Sequence, residues 1–582
     1  MTVTLLVLLL AAVFLGCMSL AFATLYVKWV RIRSYFQFPF LAFLNILPAV
    51  ILTFVLYCLL NRAWLAYLLS SVIVLGGTFA NFFKVVLRDD CVVFEDLFNI
   101  GAAAGIVGEY RISLSLPFYV AILLCILVTA LLFFLCRGRL PKWRWRLSGA
   151  AVLILLFLGA FQLWYRDDGL YKSFSNDEWF NQWQPTEYYA SRGFLYPFFH
   201  SFDDAFPPPP DGYTKAAAQE IRDAYPDQDL NVQVNFVAVM LESFTELDLD
   251  YVEDPYEPWK QLKEESLTGA LISDTMGGGT VNAERSFLTG FTYPQPGYRH
   301  TTESFPWYFR DQGYTVEGCH PGHDWFYNRQ NVDRNLGFET YYFSENRFSQ
   351  LTDLEYAGDD VFFPEVRRLY EAAEGPYFSF SVSYQGHSPY ASDGLTWGTE
   401  YVSHDGLSDS DYYIVNNYLG GLADTAARIS DFVDSFREDT EPVVLLFFGD
   451  HKPTLGASNS VYDALGISLD RSTQNGFINY YATPYLIWAN DAAKAALGRD
   501  VTGEGPTISP CYLMAEVFGA CGLEGPGWIR LLQEAMEAVP VRHSTGVYFE
   551  DGVLTEKISE KNEILLEKVA YMEYHLRENQ RK

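Results

Sequence analysis

Basic residues run short once the first third of the chain is past. Up to Arg166 there are 13 Lys/Arg against 5 Asp/Glu; beyond it 28 stand against 66. A segment so poor in positive charge repels a phosphate backbone, which excludes nucleic acid as its partner, though it says nothing of fold. Cysteine is equally scarce there: of eight, only Cys319, Cys511 and Cys521 lie beyond Arg166. Three is an odd number, and none has metal-ligand spacing, so this is neither a disulfide scaffold nor a cysteine-zinc module; a Cys511–Cys521 bridge stays open for an exported domain. No internal repeat is present. The first apolar run lacks a basic start and is too long for a signal-peptide core, so it reads as a retained helix.

What the first 166 residues do contain is apolar length. Five segments approach the roughly 20 residues that a bilayer crossing requires: 3–27, 38–60, 63–83, 117–136 and 147–164, the last being short. Residues 87–116 are too mixed to cross and read as an interfacial piece. Basic residues in short loops set orientation, and their total ties between the two sides. The densest cluster, Arg137, Arg139, Lys142, Arg144 and Arg146, adjoins the acidic part. Placing that loop in the cytoplasm sends the acidic part outside the cell. Residues 167–230 then form an extracellular connector, aromatic and polar, with Pro207 to Pro210 as a stiff spacer.

From about residue 231 the pattern becomes strand, helix, strand. Three stretches run apolar for strand length and stop on a polar group: FVAVMLES near Glu242, YFSFSVSYQGH at His387, and VVLLFFGDH at Asp450 and His451. Unbroken Val/Leu/Phe runs predict strands buried on both faces, hence a mostly parallel sheet covered by helices. In such sheets ligands lie beyond the carboxyl ends of the strands. Glu242, Asp450 and His451 offer two carboxylates and an imidazole, a set suited to a divalent ion such as Mn²⁺ or Zn²⁺.

Two further pieces add chemistry. In GGGTVNAERSFLTG, three glycines precede Thr280 at a predicted helix start, where amides attract anions. Thr280 there is either a metal-activated nucleophile or simply the helix cap. GCHPGHDWFYNR brings His320, placed to donate to a phosphoryl oxygen, and Arg329, suited to bidentate phosphate contact. The alternative for this stretch is a surface loop of stacked aromatics.

Taken in order, LES at Glu242, GGGTVNAE at Thr280, CHPGHDWFYNR from Cys319, QGHSPY at His387 and FFGDHKP at Asp450 and His451 resemble the alkaline-phosphatase and sulfatase superfamily. Within it the chain is similar to the lipoteichoic acid synthase group of phosphoglycerol transferases. The resemblance implies an all-α membrane bundle of five helices at 1–166, a sulfatase-like catalytic domain at 231–545 and a helical tail at 546–582. It implies one divalent metal (Mn²⁺ first, Mg²⁺ or Zn²⁺ as alternatives) on Glu242, Thr280, Asp450 and His451. Thr280 would be the nucleophile, with His320, Tyr327, Arg329 and His387 around the phosphoglycerol group. Tyr327 stands where the family often has Trp. The Cys-x-Pro-x-Arg signature that supplies formylglycine in true sulfatases is absent, which argues against sulfate-ester hydrolysis. The implied donor is phosphatidylglycerol and the acceptor a glycolipid or growing polymer. The rivals are phosphoethanolamine transfer from phosphatidylethanolamine, and a catalytically silent membrane protein that binds a lipid or partner.

Overall fold

The structure is a computed structural model that describes residues 1–23, 25, 33–88, 90–98, 115–174, 180, 184–292 and 297–578. The chain divides into two units, one of residues 1–208 with Trp325–Asn328, the other of 209–324 with 329–582.

Among the described residues of the first unit, five helices are long and apolar enough to cross a membrane. They are α1 (Thr2–Ala23), α2 (Pro39–Leu60), α3 (Ala63–Arg88), α4 (Leu116–Leu135) and α5 (Trp143–Ala160), which runs on as a π-helical turn over Phe161–Tyr165. The fifth is longer than its apolar run. Trp143 to Arg146 join it, so the span covers 23 residues, and Arg146 donates to the carbonyls of Cys58 and Leu59 at the end of α2. Amphipathic Trp and Arg belong at a membrane interface, and an apolar medium favours satisfying their backbone within a helix. Most of the expected interfacial piece, 99–114, lies outside the described residues; within it Phe94–Phe98 forms a 3₁₀ turn.

The connector does not hang free. The described residues of 167–208 cluster with the helices, and the unit boundary falls inside the proline run, so the expected connector 167–230 is divided there. Asn45 of α2 ties them down. Its amide donates to Arg192 O at 2.8 Å, and its carbonyl accepts from Phe194 N and Tyr196 N, each at 3.1 Å. An asparagine in an apolar helix costs free energy unless bonded, and these contacts offset that cost.

The second unit is built on an eight-stranded sheet of order β4-β3-β5-β1-β6-β7-β2-β8. The strands are β1 (Asn235–Leu241), β2 (Leu267–Ile272), β3 (Thr315–Cys319), β4 (Thr340–Tyr342), β5 (Tyr377–Val382), β6 (Val443–Gly449), β7 (Ala482–Ala489) and β8 (Gly503–Ile508). All pairings are parallel except those of β7 with β6 and β2. The three apolar runs are β5, β1 and β6, side by side and buried throughout. Side chains alternate between faces. Phe236, Ala238 and Met240 meet Phe287 of α6 (Thr280–Thr289) in one core. Val237, Val239 and Leu241 meet Phe362 of α7 (Asp359–Ala372) and Leu419 of α8 (Asp409–Asp434) in the other. Helices thus cover both faces, as a parallel sheet requires.

Two expectations need adjusting. The 545/546 boundary falls inside a small three-stranded sheet, where Phe549 pairs with Val541. The closing helix α9 (Glu560–Glu578) buries Leu565, Leu566, Val569 and Met572 in the domain core, so it is part of the fold rather than an appended tail. Cys511 and Cys521 are buried free thiols. They sit near opposite ends of the helix Leu513–Cys521. At 1.5 Å rise per residue that is over ~10 Å apart, beyond disulfide reach.

Candidate active site

Parallel pairing in register makes Leu241 and Gly449 partners at the ends of β1 and β6, so the next residues, Glu242 and Asp450, are neighbours. Backbone bonds lock this edge. Ser243, at φ 53°, donates its N–H to Asp450 Oδ1 at 2.8 Å, and Glu242 N donates to Ser383 Oγ at 3.0 Å. His451 N also donates to Asp450 Oδ1, at 2.7 Å, which turns the chain and points the imidazole toward both acids. Its Nε2 lies 3.2 Å from Asp450 Oδ2 and 3.8 Å from Glu242 Oε1.

Thr280 arrives from the glycine turn. Met276 bridges Lys452, and Gly277 N donates to Lys452 O at 2.7 Å, which fastens the turn beside His451. The turn needs glycine: Gly277, Gly278 and Gly279 have φ of 69°, 145° and 82°, a region other residues rarely enter. Gly279 is the N-cap of α6 and Thr280 its first residue; no side-chain cap bond forms. The Thr280 hydroxyl is therefore not used as a cap. It lies 3.4 Å from Glu242 Oε2 and 3.4 Å from His451 Nε2.

These residues fit a cation. Ligand atoms of Glu242, Asp450 and His451 lie within 4.8 Å of one another, and Thr280 and all three are at most 7% exposed. Asp450 Oδ2 is buried with no hydrogen bond beyond its 3.2 Å approach to His451 Nε2, a costly state for a carboxylate oxygen unless a cation joins it. Burial and the Asp450 charge push the Glu242 carboxyl up. Burial depresses the His451 imidazole, but Asp450 and then Glu242 outweigh it and leave the pKa raised. A divalent ion relieves this crowding by replacing the protons.

Two of the other expected residues stand around Tyr384. The ring of His320 is 6.0 Å from Tyr384, and that of His387 stacks on it at 4.8 Å and 7°; the His387 charge also reaches Glu242. His320 corrects an expectation. Its Nδ1 lies 3.0 Å from Val382 O, and a carbonyl only accepts, so this nitrogen carries the proton. Burial and then Arg329 hold the imidazole well below its usual pKa. Nε2, buried without a hydrogen bond, is then a lone-pair acceptor rather than the expected donor. Arg329 is 1% exposed and already paired with Glu284, at 2.8 Å from Nη2 to Oε2. Tyr327 sits at φ 58° in the short turn Phe326–Asn328, its ring 4.4 Å from Phe326. Sequence reasoning passed over Glu284 and Tyr384. A spacing of four from Thr280 was the signal for the first; Tyr384, three residues before His387, had none beyond proximity.

Residues 234–523 match the sulfatase family model. Among curated proteins the chain is 28% identical over 366 residues to the "Putative cyclic beta-1,2-glucan modification protein" of Rhizobium meliloti (strain 1021), across 59% of this chain and 55% of that protein. It thus spans little more than half the length of that relative. Among solved structures it is similar to the Streptococcus pyogenes phosphoglycerol transferase GacH in complex with sn-glycerol-1-phosphate. There the TM-score is 0.51 and identity 19%, over 63% of this chain and 95% of that one. The lipoteichoic acid synthase LtaP from Listeria monocytogenes gives a TM-score of 0.43 at 15% identity, over 61% of this chain and 97% of that one. At 19% identity the likeness to the Streptococcus structure is one of fold.

Proposed function

This chain carries a domain of the sulfatase family, and from that premise we propose that it is a membrane-anchored, metal-dependent phosphotransferase. It moves glycerol phosphate from phosphatidylglycerol to an extracellular glycan or polyglycerol-phosphate acceptor. The observation that carries the reading is the Thr280 hydroxyl, uncapped at a helix start and 3.4 Å from both Glu242 and His451. Glu242, Thr280, Asp450 and His451 would hold one divalent ion, Mn²⁺ first, with Mg²⁺ or Zn²⁺ as alternatives. Bound there, it supplies Lewis-acid stabilisation of phosphoryl charge and favours the threonine alkoxide.

The residues divide the work. Thr280 Oγ attacks phosphorus and gives up its proton; the bond from phosphorus to the diacylglycerol oxygen breaks, and that oxygen takes a proton. The glycerophosphoryl group is then an ester of Thr280. An acceptor hydroxyl attacks the same phosphorus, loses its proton, and the threonine oxygen leaves and regains one. The α6 N-terminus faces the anion, and Arg329 stabilises the charge that builds on the phosphoryl oxygens. His320 Nε2, as a lone-pair acceptor, receives a glycerol hydroxyl. His387, stacked on Tyr384, closes the phosphoglycerol subsite. The free cysteines favour this donor over phosphatidylethanolamine, whose transferases commonly carry disulfides. The name of the Rhizobium relative favours a glycan among acceptors.

The five helices tether the domain to the membrane that carries the donor, and the basic loop Arg137–Arg146 supports a domain outside the cell. Purified protein with Mn²⁺ and labelled lipids tests the reading. Diacylglycerol should appear from phosphatidylglycerol and not from phosphatidylethanolamine. Release from the ethanolamine lipid alone favours the rival transferase, and release from neither favours a silent binding protein.

A further inference from the structure

Arg329, which the reaction uses, sits in a knot of buried charge whose two acids have no step of their own. Glu284 is four residues after Thr280 on α6, so the two side chains share a face one turn apart. It is 1% exposed, as is Arg329. Its Oε2 accepts from Arg329 Nε at 3.1 Å and from Nη2 at 2.8 Å, and its Oε1 from Nε at 3.4 Å. This side-on grip sets the plane of the guanidinium, and Glu284 takes none of the Nη1 donors.

A second acid competes. Arg329 opens the helix Arg329–Asn335, and Asp333 follows four residues on, again on a shared face. Asp333 is 1% exposed and neither of its oxygens accepts a hydrogen bond. Burial, then the Glu284 charge, push its carboxyl well above the usual range, and Arg329 and Arg285 pull the other way. Two carboxyls thus lie within electrostatic reach of one guanidinium. The bonds go to the acid on the nucleophile's helix.

We propose that Glu284 is a positioning residue for the donor phosphate. By out-competing Asp333 for Arg329 it fixes the guanidinium relative to Thr280 through a single turn of α6. This rests on the phosphoglycerol-transfer reading. Without the Glu284 charge the guanidinium turns to Asp333, and the phosphate loses a preset donor.

The test uses full-length protein with Mn²⁺, reading both sn-glycerol 1-phosphate binding by calorimetry and transfer from phosphatidylglycerol. E284Q should lower kcat/KM by about 100-fold, the cost of one misplaced electrostatic donor, and weaken glycerol-phosphate binding while Mn²⁺ affinity holds. The deciding variant is E284Q/D333N. With the competing acid gone, the guanidinium is no longer drawn off, and activity should recover by about tenfold over E284Q, a coupling of ordinary size for groups in contact. A double variant worse than E284Q overturns the proposal, because a merely structural Glu284 would make the second buried change additive. If E284Q does not fold, E284D carries the test: the charge remains but sits one methylene back, and an unchanged kcat/KM refutes positioning. Wild-type binding matched by E284Q sinks the inference alone. Wild-type protein that neither binds glycerol phosphate nor transfers it overturns the functional reading and the inference together.

Discussion

Thr280 is available for chemistry because Gly279, not Thr280, caps the helix. That division of labour between adjacent residues leaves a hydroxyl among two acids and an imidazole, and it makes the cluster respond to protons. Both Glu242 and His451 have raised pKa values in the metal-free protein. A raised folded value means protonation is favoured by folding, so this stabilising term is present at low pH and is lost as pH rises through the folded values. A cation needs the deprotonated groups. Metal-induced stabilisation should therefore grow with pH. Melting curves with and without Mn²⁺ between about pH 5 and about pH 8, the range in which imidazoles titrate, should show a widening gap; a gap that narrows contradicts the cluster. Glu242, Asp450 and His451 were legible because each ends a run of buried strand. Glu284 was not, since a glutamate inside a helix ordinarily faces water, and only the fold shows it paired to a residue 45 positions away.

Among elements, the connector shows best how a polar group in an apolar helix can organise its neighbours. Asn45 meets three backbone groups of 192–196 with both ends of its amide. Asn45→Ala strips partners from buried N–H groups, at about 1–3 kcal/mol for each group left unsatisfied. Limited proteolysis should then cut faster near Ser191–Tyr196, by about fivefold or more for a loss of about 1 kcal/mol or more; unchanged protection would refute the anchoring role. From sequence this stretch reads as spacer, because aromatic and polar residues without period give no packing signal. The fifth span runs longer, and α9 packs more deeply, than the sequence shows, for a related reason. Trp143 to Arg146 break the apolar run although they are helical, and the charged residues of α9 look like a helix exterior although that helix buries Leu565, Leu566, Val569 and Met572.

Across the whole molecule, composition separated a basic, apolar first part from an acidic second part, and the structure divides the chain at 208/209. The buried runs gave the class of sheet and its central strands. They could not give the order β4-β3-β5-β1-β6-β7-β2-β8 or the single reversed strand β7, because register between distant segments leaves no local trace. That order still matters, since it places β1 beside β6 and so Glu242 beside Asp450. Everything functional rests on this convergence, and it can be tested on the intact chain. Metal-loaded protein is mixed with phosphatidylglycerol labelled in its headgroup glycerol, quenched, digested and read by mass spectrometry. The account predicts one glycerophosphoryl group on the peptide holding Thr280, absent when the metal is chelated. A labelled adduct on any other residue, or turnover undiminished in Thr280→Ala, would contradict it.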